Sequence, residues 1–443
     1  MNEISNYGNL WSSSLNENNS NNGRNLNFNH NGNLNDNNWN RYIGLCILGK
    51  HLYFMKLTKE QLFRDIYIAF VDAKKHKSNK IYVKEFEVNL KENLEELCND
   101  LWNRNYEPGR STCFIVHHPS KREVFAAEFR DRIVHHLYFN YTHELFKRTF
   151  IHDSYSCIKK RGTHFGIHRL EKHIREESQN YTHDCYVLKV DIKGYFMNIS
   201  REKLYNITIN SLEKMKDHLS TQNQTWEDII DYDFVKYLTK VIIFINPINN
   251  CKIISRCDEW DGMKPSKSLF SVKEGHGLPI GNLTSQLFSN IYLNLLDQYC
   301  KRVLKSRHYG RYVDDSYHVS TDKEFLRSLI EPIENFLLEV LELDIHKGKT
   351  KIINVRYGVE FLGAFIKPYR TYINSSTIKR MNKLLIDIYD KDNLSIYRSI
   401  NSYLGIMSHY SSFRLRFKIF VTNPKLYEIG YFDQKLTKFT HLN

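Results

Sequence analysis

Three aspartates stand where strand-like segments end, in positions from which carboxylates can bind metal ions. Asp191 ends the apolar run CYVLKVD, and the adjacent Asp314 and Asp315 lie in RHYGRYVDDSYHVS, whose aromatic and β-branched residues predict a β-hairpin. Like charges repel, so an apolar hairpin gains nothing from adjacent acids unless a cation compensates. Together the three would supply the hard oxygen ligands that Mg²⁺ requires. A structural turn, in which Asp is common, is the alternative for each acid alone.

Between these acids, the segment GHGLPIGNLTSQLFSNIYLNLLDQYC predicts a turn followed by a helix. Pro279 and Gly281 form the turn, and apolar residues at helical spacing follow it, with Leu287 and Ile291 among them. We interpret the apolar stripe as core. Gly281 permits close backbone approach, so the turn before the helix could form the floor of a nucleotide site.

The elements before Asp191 predict a second functional region. A capping box at Thr58 and Gln61 begins one helix, and apolar residues over 86–101 predict a second. STCFIVHHPSKREVFAAEFRDRIVHH then predicts a strand, a basic turn at Lys121 and Arg122, another strand and a helix. Cations in such a turn can reach a triphosphate, although a solvated hairpin tip fits the same pattern.

Composition indicates the kind of partner. The 443 residues carry a net charge of +13 and 14% aromatic residues, which favours a polyanion because cations bind phosphates and rings stack on bases. A solvated basic surface is the alternative. The eight cysteines contain no CxxC pair, and Cys251 and Cys257 are interpreted as structural thiols. Without an apolar stretch of membrane-spanning length or a signal peptide, we expect a cytoplasmic protein that does not enter a membrane.

The order of Asp191, the LPIG turn and YVDD resembles the palm of a reverse transcriptase. EFRDRIVHHLYFNYTHELFKRTF is similar to the fingers of group II intron and retron enzymes, and VEFLGAFIKP to a primer grip. The resemblance implies an α+β, right-hand polymerase fold of bacterial or phage origin. We expect N-terminal helices and fingers over 55–180, a palm over 181–370 with an insertion at about 201–275, and a helical thumb over 371–443.

Within that superfamily the chain most resembles the reverse transcriptases of diversity-generating retroelements, through DIKGYFMNI, IGNLTSQ and NSYLGIMSHY. This implies copying of a template-repeat RNA into cDNA with errors at adenine. The implied partners are the template RNA, the cDNA or primer, dNTPs and a small basic accessory variability protein. A retron-like or phage-defence reverse transcriptase and a catalytically inactive, RNA-binding polymerase fold remain as alternatives.

The resemblance also implies roles for single residues. Asp191, Asp314 and Asp315 would hold two Mg²⁺ ions and carry the catalysis, and Lys349 would protonate the leaving pyrophosphate.

Five further positions are implied to bind the dNTP. Lys121 and Arg122 would contact the triphosphate, and Phe196 would pack under the sugar and exclude a 2′-hydroxyl. Ile280 precedes Gly281 at the point where more accurate relatives have a Gln that touches the nascent base pair. An apolar β-branched side chain cannot make that hydrogen bond, which predicts looser base selection.

The first 54 residues have a different composition. Seventeen of the first forty are Asn, and Lys is absent before Lys50. The segment resembles the variable end of C-type-lectin-fold target proteins of these retroelements. We therefore interpret it as a template repeat read through in frame, with the polymerase beginning at Met55. A disordered Asn-rich linker is the alternative.

Overall fold

The computed structural model describes residues 57–117, 120–220, 231–387 and 392–442. The head at 1–54 and Trp226 of the insertion lie outside these ranges.

The helices, in chain order, are α1 (Lys59–Lys74), α2 (Ile81–Val88), α3 (Leu90–Trp102), α4 (Phe129–Lys147), α5 (Thr163–Glu177), α6 (Tyr195–Asn198), α7 (Arg201–Ser220), α8 (Tyr232–Phe244), α9 (Leu283–Gln298), α10 (Lys323–Ser328), α11 (Ile330–Leu341), α12 (Ser375–Ile386), α13 (Asn393–Ser408), α14 (Phe413–Arg416) and α15 (Pro424–Ile429). The strands are β1 (Ser111–Val116), β2 (Arg122–Ala126), β3 (Tyr186–Asp191), β4 (Cys251–Ile253), β5 (His308–Tyr312), β6 (Asp315–Ser320), β7 (Lys351–Asn354), β8 (Val359–Phe361), β9 (Ala364–Lys367), β10 (Arg370–Ile373), β11 (Gly430–Phe432) and β12 (Phe439–His441).

These elements form two compact units. The described residues of the first unit lie within 57–160, 192–299 and 334–344, and those of the second lie within 161–191, 300–333 and 345–442. The mixture of helices and small sheets is the α+β architecture that the sequence predicts.

In the first unit a three-stranded sheet has the order β2-β1-β4, with β1 antiparallel to β2 and parallel to β4. The pairing with β4 makes the insertion part of this unit, because β4 comes from within it. Helix α9 packs against α4 and α7 through a face that includes Leu287, Phe288 and Ile291, each at most 2% exposed. This face is the apolar stripe that the sequence predicts.

In the second unit an antiparallel four-stranded sheet has the order β5-β6-β3-β7. Strand β3 lies between β6 and β7, and Val187 and Leu188 within it are fully buried, as expected for an apolar run with neighbours on both sides. Helix α5 packs against β5 and β6, and α10 packs against β3, β6 and β7.

The C-terminal part of the second unit has its own core. Buried residues from β10, α12, α13, α15 and β12 form one cluster, which includes Met381, Ile400, Leu404 and Phe439. Helix α12 begins at an N-cap Asn374, whose side chain accepts from the backbone N–H of Thr377.

One predicted helix is divided in two. The apolar pattern over 86–101 predicts a continuous helix, but Asn89 has φ −119° and ψ 49° and separates α2 from α3. The Thr58 cap is as predicted, because its hydroxyl accepts from the N–H of Gln61. Within the described ranges, no helix is both long and apolar enough to cross a membrane.

Candidate active site

The three predicted carboxylates all lie in the second unit, on adjoining parts of one sheet. Strands β3 and β6 pair so that Asp191 stands directly opposite Asp315. Asp314 occupies the two-residue loop that joins β5 to β6, next to Asp315. The strand end and the hairpin turn thus carry the three acids at one end of the sheet, as the sequence predicts.

The hairpin loop contains an unusual backbone conformation. Val313 has φ +54°, although β-branched residues rarely adopt positive φ and hairpin turns usually place Gly or Asn there. Arg311, only 1% exposed, donates from Nη1 to the carbonyl oxygen of Val313 over 2.8 Å. A buried guanidinium therefore braces the strained residue that precedes Asp314.

Burial, together with repulsion among the acids, raises the pKa of two of these carboxylates. Burial first, and then the charges of Asp191 and Asp315, raise the pKa of Asp314 to about 6. Burial also raises the pKa of Asp315, which the neighbouring Lys189 opposes. The group as it stands thus holds negative charge that favours a bound cation.

Two lysines provide positive charge to the acids. Lys189 Nζ lies 3.2 Å and 3.3 Å from the two carboxylate oxygens of Asp315. Lys349 Nζ donates to Asp191 Oδ2 over 2.9 Å, and its side chain is 61% exposed. Lys189 was not predicted, although the period of two along β3 puts it on the same face as Asp191.

Carboxylates suit a hard divalent cation. In the part of the chain that the structure describes, no three His, Cys, Asp or Glu side chains are grouped closely enough to enclose a metal ion. The carboxylate oxygens of the three aspartates are suitable ligands for such a cation, which would also relieve the repulsion among them. Lys189 and Lys349 form ion pairs with Asp315 and Asp191.

The predicted triphosphate ligands lie in the first unit, on the β1–β2 hairpin. Lys121 immediately precedes β2, and its ammonium donates to the backbone carbonyl of Asp261 over 2.6 Å. Arg122 is the first residue of β2. Beside it, Glu123 is 1% exposed, so its charge is buried.

Glu123 joins the hairpin to the insertion. It accepts hydrogen bonds from Trp260 Nε1 at 2.7 Å, Ser268 Oγ at 2.9 Å and the backbone N–H of Leu269 at 2.7 Å. Three donors satisfy the buried carboxylate, so the segment around 257–271 holds β2 in place. The sequence did not predict this contact, because no motif near Glu123 or Trp260 indicates that the two residues pair.

The remaining predicted nucleotide ligands border an apolar cluster in the same unit. Phe196 and Ile280 pack, half-buried, against a core that contains Phe125 and Leu269. The Ile280 carbonyl accepts from the N–H of Phe125 over 2.8 Å. Gly281 has φ +126°, and a Cβ there would lie 2.9 Å from Val124 Cγ1. Glycine is therefore required at this turn because the backbone of the turn lies close to β2.

Comparison with known families agrees with this geometry. Residues 120–366, more than half of the chain, match the model of the reverse transcriptase family, the RNA-dependent DNA polymerases. This chain belongs to the reverse transcriptase family. Reverse transcriptases are nucleotidyltransferases that use divalent metal ions, and the matched region contains every position predicted here to act in catalysis or dNTP binding.

Solved structures of telomerase are also similar to this reverse transcriptase chain. Apo telomerase of Candida tropicalis is 12% identical, with a TM-score of 0.44 over 72% of this chain and 58% of that chain. Telomerase of Candida albicans in complex with a fragment of telomeric RNA is 11% identical, with a TM-score of 0.41 over 66% and 52%. The chain thus spans little more than half the length of these proteins. No match is found among curated proteins.

Proposed function

We propose that this chain is an RNA-directed DNA polymerase in which Asp191, Asp314 and Asp315 hold two Mg²⁺ ions. The observation that carries the proposal is the β3–β6 register, which sets Asp191 opposite Asp315 with Asp314 in the adjoining turn. Lys189 and Lys349 pair with Asp315 and Asp191, but the three neighbouring carboxylates still outnumber the two ammonium groups, so a purely structural role does not account for the arrangement. A catalytically inactive fold would not need it.

Bound there, two Mg²⁺ ions would lower the pKa of the primer 3′-hydroxyl and stabilise charge on the leaving pyrophosphate. The protein's own groups act around that site. Lys189 keeps the Asp315 carboxylate in position, because it contacts both oxygens. Lys349, paired with Asp191 yet largely exposed, is free to move toward the pyrophosphate and donate a proton to it.

The dNTP is bound by residues of the first unit. Lys121 and Arg122 contact the triphosphate, with β2 held by the buried Glu123. Phe196 lies under the sugar and excludes a 2′-hydroxyl, and Ile280 and Gly281 border the nascent base pair. The location of Phe196 and Ile280 at one apolar cluster supports a common role.

The same assignment divides the chain by role. We assign the N-terminal helices and fingers to 55–180, the palm to 181–370 and the thumb to 371–443. The separate helical core around Met381 and Leu404 supports the last assignment.

We further propose that the enzyme belongs to the diversity-generating type. The support is the set of sequence features named above, in particular Ile280, where a Gln would touch the nascent base pair. On this proposal the chain copies a template-repeat RNA into adenine-mutagenised cDNA, acts with a small basic accessory protein, and uses a template RNA, a primer and dNTPs.

Sequencing of cDNA made on a defined RNA template tests both levels of the proposal. We expect dNTP incorporation that requires Mg²⁺ and stops on chelation, with substitutions concentrated opposite template adenine. Accurate cDNA would retain the polymerase but indicate a retron-like or defence enzyme. RNA binding without incorporation, in protein that is folded, would indicate the inactive RNA-binding fold and contradict the proposal.

A further inference from the structure

The β9–β10 hairpin of the second unit has a tyrosine where the backbone favours glycine. Lys367 pairs with Arg370, so Pro368 and Tyr369 form a two-residue turn. Pro368 cannot take positive φ, and the positive φ falls on Tyr369, at +64°. In a turn of this kind the second position is usually Gly. The ring of Tyr369 is nevertheless 75% exposed, so burial of the ring does not compensate for the strain.

A second strained segment meets this turn. Gln179, Asn180 and Tyr181 all have positive φ, at 49°, 57° and 68°. The hydroxyl of Tyr369 donates to the Asn180 carbonyl over 3.1 Å, and the ring centroids of Tyr369 and Tyr181 lie 4.7 Å apart. Two strained loops therefore converge to present a pair of aromatic rings, and such strain is found preferentially at functional sites.

Three exposed cations lie on or next to the segments that carry the two rings. Lys367 and Arg370, both exposed, flank the turn. Arg356 is exposed and pairs with Asp184 over 2.8 Å, which brings it to the segment that follows Tyr181. Beside Arg356, Tyr357 is 78% exposed.

The 3₁₀ turn that carries Arg356 and Tyr357 packs against β9, the strand that ends at Lys367. We call these six side chains the aromatic–basic cluster: Tyr181, Arg356, Tyr357, Lys367, Tyr369 and Arg370. Two carboxylates adjoin these side chains, because Asp184 pairs with Arg356 and Glu171 accepts from the hydroxyl of Thr371, so three cations stand against two acids. The cluster is therefore both aromatic and net positive.

The cluster is distinct from the carboxylate site. Arg356 pairs with Asp184, which precedes Tyr186 at the start of β3, whereas Asp191 lies at the end of that strand. Four residues of strand lie between Tyr186 and Asp191, so the Cα atoms of these two residues are about 16 Å apart. A nucleic acid bound at the cluster would thus lie outside the reacting centre.

We propose that the aromatic–basic cluster binds single-stranded RNA, with bases stacked on Tyr369 and Tyr357 and phosphates paired with Lys367 and Arg370. Exposed rings interleaved with cations are the surface that single strands bind, since every base has a π-face and every linkage a charge. RNA is the chosen occupant because the reverse transcriptase family copies RNA, and guanidinium donors can also contact the 2′-hydroxyl.

The test measures binding of a labelled RNA strand of about 20 nucleotides to the full chain by fluorescence anisotropy. A short template–primer duplex is kept in excess so that the active site is occupied. The key variant is Tyr369→Gly, because Gly adopts the strained φ easily and removes only the ring and its hydroxyl. We expect its melting temperature to match or exceed that of the wild type and its RNA affinity to fall about tenfold.

Matched variants separate stacking from charge. Tyr369→Phe keeps the ring and should bind RNA like the wild type. The double variant Lys367→Gln/Arg370→Gln removes two phosphate contacts and should lower the slope of log affinity against log salt by about 1.4. Tyr431→Ala removes another exposed tyrosine, on β11, and should change nothing. Extension of the short template–primer should stay at the wild-type rate in Tyr369→Gly, Tyr369→Phe and Tyr431→Ala.

Three outcomes would overturn the proposal. Tyr369→Gly could bind RNA like the wild type, or lose melting temperature together with affinity, which would make Tyr369 structural. DNA of the same sequence could bind as tightly as RNA and lose as much affinity in the variant. Finally, RNA binding could be unchanged while a protein co-purifies with the wild type and not with Tyr369→Gly, which would make the cluster a protein interface.

Discussion

Arg311 Nη1 lies 2.8 Å from the carbonyl oxygen of Val313, within the strand and turn that carry Asp314. The strain of a β-branched residue at φ +54° is worth about 1–3 kcal/mol, so the turn needs a partner that fixes it. Arg311 has the planar donor geometry to do so, and its burial keeps that geometry fixed. It is a positioning residue, because its guanidinium binds the backbone of the turn that carries Asp314.

We predict that Arg311→Lys lowers kcat by about 10- to 100-fold while the KM for dNTP changes little, because a displaced Asp314 affects the chemical step. Val313→Gly removes the strain that Arg311 braces, so the double variant should recover part of the loss. Steady-state kinetics on a primed RNA measures both, and Arg327→Lys, at an exposed position, is the matched control. Strictly additive losses in the double variant would show that Arg311 does not act through this turn.

Asp314→Asn should abolish Mg²⁺-dependent incorporation while the melting temperature and RNA binding stay close to wild type. Loss of one anionic ligand weakens stabilisation of the transition state by several kcal/mol, on the order of a thousandfold in rate. Single-nucleotide extension measures the rate, and Asp258→Asn, at an exposed acid in the first unit, is the control. A variant within tenfold of the wild type would remove Asp314 from the metal site.

The sequence correctly predicted those elements of the fold that depend on short motifs of neighbouring residues. The apolar run before Asp191 and the aromatic residues around YVDD predicted β3 and the β5–β6 hairpin, and the capping motif predicted Thr58. Periodicity failed at Asn89, because apolar residues keep their spacing across a backbone break.

Contacts between distant parts of the chain could not be predicted in the same way. Glu123 and Trp260 are 137 residues apart, and no local signal pairs them. Lys189 could have been found, since a two-residue spacing from Asp191 along a strand indicates a shared face. The role of Arg311 could not have been predicted, because it depends on the positive φ of Val313, and no sequence pattern indicates that φ.

Glu123→Gln tests whether the insertion positions Lys121 and Arg122, the proposed triphosphate ligands. The amide has one acceptor oxygen, whereas the carboxylate uses both oxygens for three donors, so at least one buried donor loses its partner. We expect a loss of about 1–3 kcal/mol in stability and a raised KM for dNTP with a smaller change in kcat. Thermal unfolding and dNTP titration check both effects, with the exposed Glu274→Gln as control. An unchanged KM would mean that the hairpin holds its ligands without this contact.

Ile280→Gln should reduce misincorporation opposite adenine more than opposite the other template bases. Ile280 is half-buried against the same apolar cluster as Phe196, so a longer polar side chain there would face that cluster or extend toward the proposed nucleotide site, where its amide could hydrogen-bond. Sequencing of cDNA from the variant and the wild type gives the error spectrum for each base. Ile253→Gln, at an exposed position on β4, is the control. An unchanged spectrum at adenine would leave Ile280 as a packing residue only.

Acid should destabilise the protein partly through His318, which lies buried on β6. Its Nδ1 pairs with Ser306 Oγ over 2.8 Å, while Nε2 has no hydrogen-bond partner among the described residues. Burial, with a smaller contribution from the charge of Lys301, lowers the pKa of His318 to about 3. An unfolded His has a pKa near 6.5, so between about pH 6.5 and 3 the unfolded chain binds a proton that the folded chain does not.

The stability that His318 contributes is therefore complete above about pH 6.5 and is lost as the pH falls, by about 2 kcal/mol at pH 5. His318→Gln removes the titrating group, and although its own stability at pH 7 is expected to be lower, its decline between pH 7 and pH 5 should be shallower. Urea unfolding at a series of pH values measures that slope. His183→Gln, at an exposed position, should keep the wild-type slope. If His318→Gln declined as steeply as the wild type, His318 would already be protonated in the folded chain, contrary to its burial.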